Sequence, residues 1–299
     1  MGDVAVIKPP PGRQELPRYD NGWMLEDGSR APFLSYVDND TAVNWSDDLE
    51  VFHEESGREH FLEVWTRDAI VARVGRLPAG ATIVDVGAST GYLLTDLAAA
   101  FADAHLIGID LVPSGLAKAH DAVPSARLLR ADARTIPLAS GSVDALVSAN
   151  VLEHIADDQG ALAEFARVLK PGAPAILVVP SGAGTYDYYD RFLDHERRYG
   201  RHELARKGQA AGLEIVEDTY LAGLIYPAFW MVKRYNRIRY DKLTGPELAK
   251  RVAADIDRTG ESVLAPRLRR IEDSLRRVGV RPPFGIRCLV VLRAPASVR

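Results

Sequence analysis

The feature that most constrains this chain is an alternation that begins at Ala81. The short apolar runs "TIVDV", "HLIGIDL", "ARLLRADA", "VDALVSA", "PAILVVP" and "LEIVEDTYL" are separated, in most cases, by stretches of helical character such as "GYLLTDLAAAFA", "PSGLAKAHDA", "DDQGALAEFARVLKPG" and "RHELARKGQAAG". Strands that are apolar throughout are buried on both faces. When helices link them, they pack as a parallel sheet covered on both sides. Pro171-Gly172 and Gly212 supply helix stops, and "IRCLVVLRA" supplies a last strand. The expected class is α/β, a doubly wound sheet.

Segments on either side of the alternation read differently. Residues 1–20 carry Pro9, Pro10 and Pro11 with little apolar content, which predicts a mobile or extended arm. Residues 21–55 scatter Trp23, Phe33, Tyr36, Trp45 and Phe52 among acids, as expected of a partly ordered extension packed on something else. From Arg58 to Arg76, Leu62, Trp65, Ala69, Ile70 and Val74 recur near helical spacing. After the sixth strand, "LIYPAFWMVKRYNRIRY" is apolar first and basic later. Thr244 with Glu247 offers a capping box, and Leu264, Leu268, Ile271, Leu275 and Val278 form one stripe. The expected organisation is an arm and extension over 1–57, a core over 58–222, an insertion of two or three helices over 223–280, and a final core strand and tail over 281–299. A chain of 299 residues, 47% hydrophobic, can bury one sizeable core with such appendages. The net charge of -4 implies no global attraction to nucleic acid or an acidic membrane. The single cysteine, Cys288, lies in an apolar strand and reads as inert packing. With no apolar leader at the N-terminus and no span-length apolar run, a cytoplasmic location is expected.

The chemistry starts at "VDVGASTGYL", residues 84–93. In an open parallel sheet, ligands bind outside the carboxyl ends of the strands. Gly87 and Gly91, four apart, are expected to let the backbone approach a ligand there. Their spacing is not that of a dinucleotide turn. Asp85 precedes the turn, and a carboxylate beside a phosphate is unfavourable, whereas beside an ammonium or sulfonium it is useful. Asp110 ends the next strand about 20 residues on, where an acid accepts ribose hydroxyls. Asp132 ends the third, placed for an adenine amino group. A nucleoside carrying positive charge fits all three acids, and S-adenosylmethionine is such a ligand.

The blocks "VDVGASTG", "LIGIDL", "RADARTIPLASGSVDALVSANVLEHI" and "FARVLKPGAPAILVVP" together resemble the class I S-adenosylmethionine-dependent methyltransferases, over roughly residues 58–222 and the last strand. That resemblance implies a Rossmann-like sheet of seven strands, the last antiparallel and inserted beside the sixth. It also implies that Asp85, Gly87, Ala88, Ser89 and Gly91 hold the methionine part, Asp110 and Leu111 the ribose, and Asp132 and Ala133 the adenine, with Asn150 beside the methyl end. Ala173 stands where a second glycine is usual, away from the ligand. "YDRFLDHERRYGRHEL" resembles a subgroup with a D-x-x-x-G-H-x-R-R-Y-like segment, associated with sugars, glycolipids and secondary metabolites; here Asp194 replaces the glycine.

The acceptor side carries paired alternatives. His195 reads as a base for an acceptor hydroxyl or amine, or as a structural histidine paired with Asp194 or Glu196. His154 in "LEHI" reads as a second such group or as helix-start packing. Arg197 and Arg198 read as anion binders or as partners of local acids. Tyr186, Tyr188 and Tyr189 suit a pocket wall or loop packing. Trp230 is expected in a cap helix that buries it against the pocket. The alternative places Phe229, Trp230 and Met231 on a membrane surface, with Lys233, Arg234, Arg237 and Arg239 at lipid phosphates. The extension and insertion are expected to meet over the carboxyl edge of the sheet. No metal-ligand spacing is visible, so no metal is predicted. The expected function is methylation of oxygen or nitrogen on a small molecule, a sugar-bearing or secondary metabolite. The alternatives are a methyltransferase of a lipid-linked glycan and a non-catalytic binding module. No nucleic-acid partner is expected.

Overall fold

A computed structural model describes residues 6–38, 60–260 and 265–296. The predicted alternation is present. A small ladder of β1 (Trp23–Met24) and β2 (Arg30–Ala31) precedes β3 (Phe33–Ser35) and helix α1 (Phe61–Val74). Then follow β4 (Thr82–Val86), α2 (Tyr92–Ala100), β5 (His105–Asp110), α3 (Pro113–Ala122), β6 (Arg127–Arg130) and β7 (Ala145–Ala149). Next come α4 (Asp158–Val168), β8 (Pro174–Pro180), α5 (Tyr188–Phe192), α6 (Glu203–Ala210) and β9 (Glu214–Leu221). Helices α7 (Tyr226–Tyr240), α8 (Gly245–Gly260) and α9 (Ala265–Arg277) lead to β10 (Arg287–Arg293).

One sheet runs in the order β3-β6-β5-β4-β7-β8-β10-β9, with β10 antiparallel to both neighbours and every other pair parallel. All five residues of β4 are buried, because its two faces supply two separate cores. Val84 and Val86 face a cluster with Phe165 of α4 and Leu204 of α6, while Ile83 joins Trp65, Leu94 and Leu116 of α1, α2 and α3. The strand order reverses direction between β4 and β7, so the crevice outside their carboxyl ends is the ligand position of such a fold. Cys288 is buried in β10, as expected.

Four expectations change. The sheet has an eighth strand, β3, supplied by the extension and paired in parallel with β6. The arm is docked rather than mobile from residue 6 onward: Ile7 bridges Leu138 and is buried, and the Lys8 N–H donates to Pro137 O at 2.9 Å. Trp23 is fully buried and donates Nε1–H to Leu128 O at 3.1 Å. The described part of the extension therefore lies at the β3 edge, opposite the β9 edge from which the insertion departs, rather than meeting it over the crevice. Finally, the α9 stripe does not face a core: Ile271 and Val278 are exposed and Glu272 is buried instead. Trp45, Phe52 and Leu264 lie outside the described residues.

Candidate functional site

The turn after β4 is built by its neighbours. Gly87 and Gly91 have φ of 86° and 84°, which a side chain rarely adopts. A Cβ on Gly87 would overlap the Val151 methyl group, and one on Gly91 would lie 2.9 Å from Ala119 Cα. These glycines permit close packing against β7's exit and α3. The N–H groups of Gly87 and Ala88 donate to Ile109 O at 2.7 and 3.0 Å, locking the turn to β5. Asp110 at the end of β5 accepts from Ser89 N at 2.8 Å and from Val112 N at 2.9 Å. It orders the turn from the end of β5. Leu111 stands beside it, with Arg130 Nε donating to its carbonyl at 3.0 Å.

Asp85 is the outlier. It is buried, and neither carboxylate oxygen has a hydrogen-bond partner. Burial, aided by the charge of Asp110, pushes its pKa up to about 8. A buried carboxyl without a donor is costly, and the cost falls if a cationic or N–H-bearing ligand meets it. Asp132 does not stand free as expected: Arg134 grips it through Nη2 at 2.5 Å and its backbone N–H at 2.8 Å. Ala133 is buried beside it. Asn150, at the end of β7, takes the left-handed conformation with φ of 57° and donates Nδ2–H to Glu63 of α1 at 3.2 Å. Glu63 in turn pairs with Arg287 of β10.

Opposite this crevice, the "DHERRY" segment folds around one buried acid, Asp190. It binds His195 Nδ1 at 2.9 Å and Arg198 Nε at 2.6 Å. Lys233 of α7 sits 3.5 Å from its other oxygen and 2.7 Å from Asp187, which caps α5. The charge of Arg198, the hydrogen bond from His195 and the charge of Lys233 hold Asp190 far below the usual carboxylate range despite its burial. The expected partners of His195, Asp194 and Glu196, are replaced by Asp190, since the helical turn of α5 brings residue 190 back under the ring. Arg198 is buried against Asp190, so it is not a free anion binder. Arg197 pairs with Asp158 at 3.0 Å. The Tyr186 hydroxyl donates to His195 O at 2.7 Å, and Tyr189 is half-buried under Lys233 Nζ, 5.2 Å from its ring centroid. Asp194 has φ of 54°, which is why glycine suits that position. His154 ends a 3-10 turn (Leu152–His154) directly after β7 and meets the His195 ring edge-on, with centroids 4.7 Å apart. Trp230 is 45% exposed on α7 rather than buried, contrary to the expectation. Lys233 is buried rather than turned to solvent.

Residues 84–177 match the family model described as a methyltransferase domain. Over that segment, from β4 into β8, the chain is similar to methyltransferase domains. An uncharacterized methyltransferase of Mycobacterium avium is 34% identical over 165 residues, covering 52% of this chain and 64% of the relative. The matches span about half the length of the first curated relatives. Among solved structures, a putative sarcosine dimethylglycine methyltransferase from Galdieria sulphuraria superposes with a TM-score of 0.59 at 15% identity, covering 83% of this chain and 99% of that one. Phosphoethanolamine N-methyltransferase 2 of Haemonchus contortus, in complex with S-adenosyl-L-methionine, gives 0.58 at 15% identity over 84% of this chain and 57% of that one. At such identity these structures share the fold.

On this domain, the residues that sequence reasoning missed are Asp190, Asp187, Glu63, Arg287 and Glu153. Asp190 opens the D-x-x-x-x-H-x-R-R-Y pattern, so its spacing from His195 and Arg198 was the available signal. Glu63 and Arg287 had none, being 224 residues apart.

Proposed function

We propose that this chain is an S-adenosylmethionine-dependent methyltransferase acting on oxygen or nitrogen of a small molecule. The carrying observation is Asp85, a buried carboxylate with no partner at the point where the strand order reverses, one β-strand from Asp110. The residues fit the cofactor: Asp85 and the turn through Ala88, Ser89 and Gly91 would hold its aminoacyl end, Asp110 with Leu111 its ribose, Asp132 with Ala133 its adenine, and Asn150 would stand at the methyl. The bound cofactor supplies an electrophilic methyl group. The chain's own part is alignment and exclusion of water, which suffices for a nucleophile already reactive. Asp190 holds the His195 Nδ1–H tautomer, so the ring's Nε2 lone pair is left for the acceptor side, beside His154. Tyr186 and Tyr189 would flank the acceptor.

Calorimetric titration with S-adenosylmethionine and S-adenosylhomocysteine tests this, repeated on Asp110→Ala. Micromolar binding that the variant loses is expected; no binding of either ligand by the wild-type chain overturns the reading. A second reading is favoured by α7, whose exposed face is apolar and flanked by arginines: the acceptor is then presented at a lipid surface. Co-sedimentation with anionic vesicles separates the two.

A further inference from the structure

The buried carboxylate of Glu153 has no place in cofactor binding. It is completely buried directly after β7, and neither oxygen has a hydrogen-bond partner. A buried, unsatisfied carboxyl demands a physical reason. Its surroundings supply one. Glu153, His154 and His195 each offer one ligand atom, and these atoms lie within 4.8 Å of one another. The sequence hides this triangle, because His195 arrives from a loop 41 residues downstream of His154; the Glu196 N–H bond to Glu153 O, 2.8 Å long, pins that loop in place.

We propose that Glu153, His154 and His195 form a divalent-cation site on the acceptor side of the methyltransferase crevice. The proposal rests on the methyltransferase reading for its chemistry but not for its test. Two imidazoles and one carboxylate are the donor set of zinc and its first-row neighbours, and three protein ligands leave a position open. His195 is already oriented as a metal-binding histidine is: its Nδ1 is held by the buried Asp190 at 2.9 Å, which leaves Nε2 for the cation. Asp190 is itself fixed by Arg198 at 2.6 Å. Charge permits occupation. The two nearby guanidiniums are each neutralised, Arg198 by Asp190 and Arg287 by Glu63, so neither is left to repel a cation at the triangle. A cation here would take an acceptor hydroxyl in its open position and lower its pKa, so that the proton passes to solvent and the oxygen's electron pair is left to attack the methyl group; His195 Nε2 then serves as ligand and not as base. The site thus suits a hydroxyl acceptor, whose oxygen becomes a good nucleophile only once its proton is lost.

The test uses the full chain freed of metal by chelator and titrated with Co²⁺ and Zn²⁺. Calorimetry gives stoichiometry, and the visible absorption of cobalt reports coordination. One equivalent with bands of a four- or five-coordinate nitrogen-ligated ion is expected. Glu153→Gln and His195→Ala should abolish those bands. Asp190→Asn, which touches no metal, should weaken uptake about 10- to 100-fold. S-adenosylhomocysteine binding and far-ultraviolet circular dichroism show which variants are folded. No stoichiometric uptake by the wild-type chain, or equal uptake by a folded Glu153→Gln, overturns the site. Failure of S-adenosylhomocysteine binding with cobalt uptake intact would sink the cofactor reading and leave the metal site standing.

Discussion

Replacing Gly87 by alanine adds one methyl group that has nowhere to go. It meets the Val151 side chain and must sit at φ of 86°. The conformational part alone costs about 1–2 kcal/mol. Gly87→Ala should therefore lower stability by more than that, and Val151→Ala in the same chain should recover the overlap but not the backbone part; urea unfolding of the three variants separates the two. Asp85 acts through solvation instead. Its ordinary pKa of 3.8 rises to about 8 in the folded chain. Between those values the folded chain holds a proton that the unfolded chain has released, so this group's contribution to stability falls as pH rises from about 4 to 8 and is level above. Asp85→Asn should remove that slope, stabilising the cofactor-free protein at pH 8 by on the order of 3 kcal/mol, while abolishing S-adenosylmethionine binding. Equal pH dependence in both proteins would contradict the assignment. Asp85 and Asp110 were legible because strand ends and charge signs are local facts. The grip of Arg134 on Asp132 was local too, two residues away, yet a side chain's choice between ligand and neighbour is not written in spacing.

At the scale of elements, the strands from β4 to β8 were readable because their apolar runs are nearly continuous, and α4 and α6 because Pro171-Gly172 and Gly212 stop them. The docking of the arm was not. Its contacts are single long-range bonds, such as the Tyr19 hydroxyl on Ala126 O, which polar and proline-rich segments do not announce. The same holds for α7. Its inward positions are Tyr226, Phe229, Lys233, Asn236 and Tyr240, spaced as one helical face, and the middle of that face is polar. Burial lowers the Lys233 pKa, and the carboxylates of Asp187 and Asp190 oppose that shift. The ion pair anchors the middle of the helix, between the aromatic contacts of Tyr226 and Phe229 at one end and Tyr240 at the other. Lys233→Met should cost about 3–5 kcal/mol, because it strands a buried carboxylate. Lys233→Met with Asp187→Asn should recover most of the loss, since asparagine can still accept the Tyr189 N–H that caps α5. A double variant as unstable as the single one, by chemical denaturation, would show that packing rather than charge holds α7.

The inversion of α7 matters for the molecule as a whole. With its polar residues turned inward, it presents Met231, Val232, Tyr235 and Ile238 outward, and Ile238 is 78% exposed. Arg234, Arg237, Arg239 and Lys242 are exposed on or just past the same helix. The chain carries a net charge of -4, so these cations are concentrated against the overall sign. No helix among the described residues is long and apolar enough to cross a membrane. The second reading lays this helix on one: apolar side chains would enter the headgroup boundary, and each basic residue near an anionic surface contributes about 1 kcal/mol. The crevice is linked to that surface through Lys233 and Asp187, so a lipid-borne acceptor would approach along α7. The chain should pellet with vesicles containing phosphatidylserine, less so with neutral vesicles and less so at high salt, which screens the cations but not the apolar contact. Met231→Asp with Ile238→Asp should abolish pelleting without changing S-adenosylmethionine affinity, because neither residue reaches the crevice. If the wild-type chain stays in the supernatant and instead elutes as a concentration-dependent dimer that the same pair of substitutions dissociates, the exposed face is an interface between copies and the acceptor is met in solution.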